Sequence, residues 1–117
     1  MNYKIIPEQS FLRAVKHLLK KYKSLKKDLA KLGDELHANP YAGADLGGGV
    51  RKVRMAITSK NKGKSHGARV ITFAYAINEE EGTLVLLYIY DKEERDTISK
   101  EEIAKLVAQV QHEIFNF

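Results

Sequence analysis

Three apolar segments follow one another in the second half of the chain: "VRKVRMAIT", "ARVITFAYAIN" and "TLVLLYIYD". Segments of this length, rich in Val, Ile, Tyr and Phe and bounded by Gly, Asn and Glu, predict strands. Their connections are too short for a crossover, so consecutive strands run antiparallel and form a meander. In the first strand Val53, Met55 and Ile57 point one way, while Lys52, Arg54 and Thr58 point the other. The third is apolar on both faces, which places it inside a sheet with cover above and below.

The cover comes from helical stripes. Phe11, Val15, Leu18, Tyr22, Leu25, Leu29, Leu32 and Leu36 recur at steps of four and three. The other face is dense in lysine: Lys16, Lys20, Lys21, Lys23, Lys26, Lys27 and Lys31. The stripe fits one long helix, or two folded back at "YKS" with Ser24 as the second N-cap. One helix of roughly 26 residues would overhang a domain of this size, which favours the hairpin. At the far end "ISKEEIAKLVAQVQHEIFNF" begins with a capping box, Ser99 and Glu102, and a hydrophobic staple, Ile98 and Ile103. Its stripe is Ile103, Leu106, Val107, Val110 and Ile114.

"NYKIIPE" reads as an edge strand, because Pro7 has no N–H for an inner ladder. "HANPYAGADLGGG" reads as a loop by its Asn-Pro and glycines. The triple glycine is no nucleotide-binding turn, since a strand follows it rather than a helix. The expected order is β-α-α-β-β-β-α, an α+β fold in a single domain over residues 1–117.

Charge is unevenly spread. The net +5 combines +11 over residues 1–75 (16 Lys/Arg, 5 Asp/Glu) with −6 over residues 76–117 (4 Lys/Arg, 10 Asp/Glu). Residues 50–73 hold seven Lys or Arg and no acid. Such a stretch is either simply solvated or lies against a polyanion. The chain has no cysteine, no apolar run near the roughly 18 residues of a membrane span, and no signal-peptide core in "MNYKIIPEQSFLR". A cytoplasmic protein is the expectation.

His17, His37, His66 and His112 are scattered, with no ligand spacing backed by a carboxylate, so neither metal nor other cofactor is expected. Cationic chemistry remains. Lys52 and Arg54 project from one side of a strand, and Arg69 opens the next one, sharing its face with Ile71, Phe73 and Tyr75. Together they would make a basic mouth above an apolar or aromatic floor, suited to holding a phosphodiester. The same alternation also fits the plain solvent face of a half-buried sheet. RNA carries its own nucleophile, the 2′-hydroxyl, so a protein need only move protons and stabilise a dianion. Lys52, crowded by two arginines, is the candidate base. His66 is a candidate acid or base in the loop. Arg51, Lys60, Lys62 and Lys64 read as phosphate contacts. At the end of the last strand, "YDKEER" offers Tyr90 for stacking, Lys92 as a proton donor and Arg95 as a further RNA contact.

The stretches "LGGGVRKVRMAI", "SKNKGKSHGARVITF" and "LLYIYDKEERDTISKEEI" resemble the RelE/ParE superfamily of type II toxins, and most of all its HigB-type branch. The resemblance implies a ribosome-dependent, metal-independent endoribonuclease that cuts mRNA. It also implies silencing by a cognate antitoxin, expected to be acidic or to offer an acidic segment and to be of the helix-turn-helix type. Lys52, Arg54 and Arg69 match the basic residues on which family catalysis rests. The C-terminal arginine and tyrosine used by some members have Tyr90, Lys92 and Arg95 as their nearest substitutes. Where the family loop usually reads Gly-Gly before Ala-Arg, this chain has His66-Gly67. Two other readings stay open: a ParE-like gyrase inhibitor, and a non-catalytic RNA-binding relative.

Overall fold

The computed structural model describes residues 2–115. Strand β1 (Asn2–Pro7) leads into helices α1 (Gln9–Leu19) and α2 (Leu25–Ala38). Strands β2 (Ala44–Gly47), β3 (Val50–Met55), β4 (Ala68–Ala76) and β5 (Glu81–Asp91) follow, and helix α3 (Lys100–Phe115) comes last. The five strands form one sheet in the order β1-β5-β4-β3-β2. Strand β1 runs parallel to β5, and every other neighbour is antiparallel. The fold is α+β, as expected.

Each face of the sheet has its own core. On one side α1 and α2 place Phe11, Leu18, Leu25, Leu32 and Leu36 against Val53, Met55, Val70, Leu84 and Ile89. On the other, α3 lays Val110 and its half-buried Ile103, Leu106 and Val107 against Val50, Ile71, Phe73, Val85 and Leu87. Two-sided burial explains why β5 is apolar throughout.

The helical hairpin turns at residues 20–24, where the sequence placed it. Ser24 holds the N-cap position of α2 but does not cap it. Its hydroxyl instead donates to Asp28 Oδ2 at 2.8 Å and accepts the Ser59 N–H at 2.8 Å. The Ser99 capping bond forms as expected, with the Glu102 N–H donating to Oγ at 3.1 Å.

One segment departs from the expected order. Ala44–Gly47, read as loop, is an edge strand that pairs with β3 at Ala44↔Lys52, Asp45↔Arg51 and Gly47↔Val50. Its alternation is too short to register against the surrounding glycines. Those glycines make the hairpin: Gly47, Gly48 and Gly49 all have positive φ, and a Cβ on Gly49 would stand 2.6 Å from the Ala74 carbonyl oxygen. The meander therefore has four strands. Strand β3 also stops at Met55, three residues before the expected end at Thr58, which instead opens a 3-10 turn, Thr58–Lys60.

Candidate functional site

Register brings the basic residues together. Arg54 lies directly opposite Arg69 on β4, and Arg69 lies opposite Tyr90 on β5. Opposed residues share a face, so Arg54, Arg69 and Tyr90 form a row across three strands. Lys52 joins it one pleat along, opposite Ile71. An open cleft of about 370 Å3 is lined by Lys52, Arg54, Lys64 and Arg69, together with Glu35, Ala42, Gly43, Ala44 and Val53. The convergence that alternation left dependent on the hairpin's register is present.

The members of the row are not equivalent. Arg69 is 8% exposed. Its Nη1 donates to the carbonyls of Lys64 (3.0 Å) and Ala68 (3.1 Å), and its Nη2 to that of Ser65 (3.3 Å). It is a fixed cation that clasps the loop before it. Lys52 is half-buried and Arg54 exposed; among the described residues neither makes an ion pair within 4 Å, and the charge of Lys52 acts at longer range on the Asp96 carboxyl. These two are the cations free to meet an anion.

Tyr90 is 4% exposed, and its hydroxyl has no partner of hydrogen-bond geometry among the described residues, although Thr97 lies close by. Burial raises its pKa against the opposing pull of Lys92, Arg69 and Arg95, so the phenol stays protonated. A buried hydroxyl without a partner is destabilising. Tyr90→Phe is therefore expected to leave stability unchanged or to raise it by about 1 kcal/mol in urea denaturation. A loss of that size would instead reveal a bond to Thr97.

The remaining sequence-derived residues divide by partner. Lys92 turns to Asp96, donating to its carbonyl oxygen (2.6 Å) and Oδ1 (2.7 Å). Arg95 pairs with Glu102 and sits over the rings of Tyr88 and Tyr90, about 6 Å from each centroid. His66 is exposed in a second 3-10 turn, Lys64–His66. Lys64 is exposed, and Lys62 pairs with Glu93 at 3.4 Å while more than half exposed. Arg51 points to the opposite face, stacked on Tyr41 at 4.7 Å, away from the row.

Lys60 differs most from its reading as a phosphate contact. Its side chain is 7% exposed, paired with Asp91 and with Glu93 (2.9 Å), and it donates to the His66 carbonyl at 2.9 Å. Asp91, 1% exposed, also accepts the Tyr22 hydroxyl and the Glu93 N–H (2.9 Å). Sequence reasoning overlooked Asp91 as an organiser. Its one signal was an acid closing an otherwise apolar strand.

The four carbonyls at the end of the loop, residues 64–67, are thereby engaged. Those of Lys64 and Ser65 bind Arg69, that of His66 binds Lys60, and that of Gly67 accepts the Lys92 N–H at 2.9 Å. Among the described residues no three His, Cys, Asp or Glu side chains converge as a metal site.

Fold and row together define a small α+β domain with a cationic row beside an open cleft. The chain belongs to the RelE toxin family: the family model described as the RelE toxin of the RelE / RelB toxin-antitoxin system matches residues 4–115. No match was found among curated proteins. Membership brings with it an antitoxin partner, and toxins of this family are generally endoribonucleases. Among the described residues no helix is long and apolar enough to cross a membrane.

Proposed function

We propose that this chain is a ribosome-dependent mRNA endoribonuclease of the HigB-type branch, acting in the cytoplasm and silenced by a helix-turn-helix antitoxin. The observation that carries this reading is the row itself: two unpaired cations, Lys52 and Arg54, beside a fixed third, Arg69, and a protonated phenol, Tyr90. Arg54, with Arg69 fixed beside it, holds the scissile phosphate as the 2′-hydroxyl attacks. Lys52 takes the hydroxyl proton as the neutral amine, and the ammonium so formed adds its charge to the stabilisation of the dianion. Lys92 protonates the leaving oxygen once it releases Asp96, and His66 is the alternative donor from the loop.

The test is primer extension on an mRNA translated in a purified system, with Lys52→Ala and Arg54→Ala measured singly and together. Each single change is expected to slow cutting by about 10²- to 10³-fold. Cuts that survive the double change would move the chemistry to His66 and the Tyr90–Lys92 end. An absence of cuts by the wild-type protein would overturn the reading and leave gyrase inhibition or simple RNA binding to be assayed.

A further inference from the structure

The cleft beside the cationic row is lined by four cations and one acid, Glu35. Strand β2 begins opposite Lys52, so the last residues of β3, Val53–Met55, have no strand neighbour on that side. The cleft opens at this bare stretch of edge. Lys52, Arg54 and Arg69 line it from the row, and Glu35 lines it from the last turn of α2. Leu32 and Leu36, on either side of Glu35, are buried against the sheet and fix that turn in place. The Glu35 side chain is exposed, and among the described residues its carboxylate makes no ion pair within 4 Å and accepts no hydrogen bond. The rest of the wall is small and apolar. Gly43 lies so close to β3 that a Cβ there would stand 2.5 Å from the Lys52 carbonyl oxygen.

We infer that Glu35 reads the base attached to the phosphate held by the row, and that the base it selects is guanine. The inference rests on the RNA-directed reading above and names the specificity of that same site. A carboxylate that balanced the cations would pair with one of them, and Glu35 pairs with none. A carboxylate also repels phosphate. What it can take from RNA is an N–H donor on the edge of an unstacked base. Guanine alone offers two adjacent donors, N1–H and the N2 amine, to the two oxygens of one carboxylate, a bidentate and charge-assisted match. Adenine and cytosine each set one amine beside a ring-nitrogen acceptor, and uracil sets one N–H between two carbonyls. Each of those acceptors would face a carboxylate oxygen. The cleft, about 370 Å3, falls within the range of small-ligand sites and has room for one nucleotide.

The probes are the nucleoside 3′-monophosphates, titrated into the full-length protein and followed by NMR, with inorganic phosphate as the baseline. The guanine nucleotide is expected to bind about tenfold more tightly than the adenine, cytosine and uracil nucleotides. The hypoxanthine nucleotide, which lacks only the N2 amine, is expected to fall between them. Glu35→Ala and Glu35→Gln are both expected to bring the guanine nucleotide down to the level of the others. The site is exposed and both replacements suit a helix, so the fold is kept. Arg54→Ala is expected to weaken all the nucleotides alike and to keep their order, because it touches only the phosphate. Equal affinities in the wild-type protein, or none above that of inorganic phosphate, would overturn the inference. So would a guanine preference that persists in Glu35→Ala. Cut positions are scored separately by primer extension. There Glu35→Ala is expected to reduce cuts at guanine about tenfold relative to the other cuts. A fall shared equally by every cut would place Glu35 in the proton transfer and refute base reading. Wild-type protein that prefers the guanine nucleotide yet never cuts would sink the nuclease reading and leave Glu35 as the base contact.

Discussion

Asp91→Asn is expected to be among the most destabilising single changes in this protein, by about 3 kcal/mol at pH 7 in urea denaturation. Asp91 is 1% exposed and receives Lys60, the Tyr22 hydroxyl and the Glu93 N–H. Removing one partner of a buried ion pair typically costs about 3–5 kcal/mol, because the other charge is left uncompensated. The lower end applies here, since Glu93 remains on Lys60. Replacing the pair together, Asp91→Leu with Lys60→Met, is expected to recover much of the loss, because neither charge then needs compensation. A single-variant loss below about 1 kcal/mol would show that the pair is effectively solvated.

The pH dependence has a definite sign. Burial pushes the Asp91 carboxyl up, but the hydrogen bonds from Lys60, Tyr22 and Glu93 outweigh it and hold the group below its ordinary value. A depressed carboxylate adds stability that is complete above its unfolded value of about 3.9 and is lost as pH falls through the folded one. Burial pulls Lys60 down, and its bonds to Asp91 and Glu93 more than reverse that. Its contribution is complete below about pH 10.4 and fades as pH rises through the raised folded value. The wild-type protein should therefore lose stability on acidification below about pH 4 more steeply than Asp91→Asn does.

Gly67→Ala is the second large effect expected. A Cβ at Gly67 would stand 2.1 Å from the Met55 carbonyl oxygen and 3.0 Å from Ala56 Cα, both backbone atoms that no rotamer change can move. Relief requires the loop to part from the end of β3. That would break the bond from the Lys92 N–H to the Gly67 carbonyl and displace Arg69, two residues on. Overpacking typically costs about 1–3 kcal/mol, and a backbone clash belongs at or above the top of that range. Gly33→Ala is the control: it lies inside α2, its Cβ would meet nothing and its φ is not positive, so the change is expected to leave stability unchanged or to raise it by up to about 1 kcal/mol. Circular dichroism melts of both variants decide the matter, and equal midpoints would refute the steric account. The same geometry explains the His66-Gly67 departure. His66 has a negative φ and an exposed side chain, so the turn accepts a residue there, while the next position admits glycine alone.

Much of this arrangement is legible without coordinates. Periods of 3.6 and 2 are local properties, so the helical hairpin, the α3 stripe and the alternation of Lys52 and Arg54 against Val53 and Met55 can all be read directly. Alternation put Lys52 and Arg54 on one side of β3, but the register that sets Arg69 opposite Arg54 came only from the structure. Strand β2 was not legible, because four residues among glycines carry too little pattern to outweigh turn signals.

Within the loop, Lys60, Lys62 and Lys64 look alike in sequence and meet different fates. Lys60 is buried on Asp91, Lys62 leans on Glu93 and Lys64 reaches into the cleft. The sequence by itself determined the elements, their faces and the concentration of charge. Only the tertiary structure decided which cations stay free, because their partners lie about 30 positions away along the chain. Desolvation and pairing depend on distance in space, which no local period encodes.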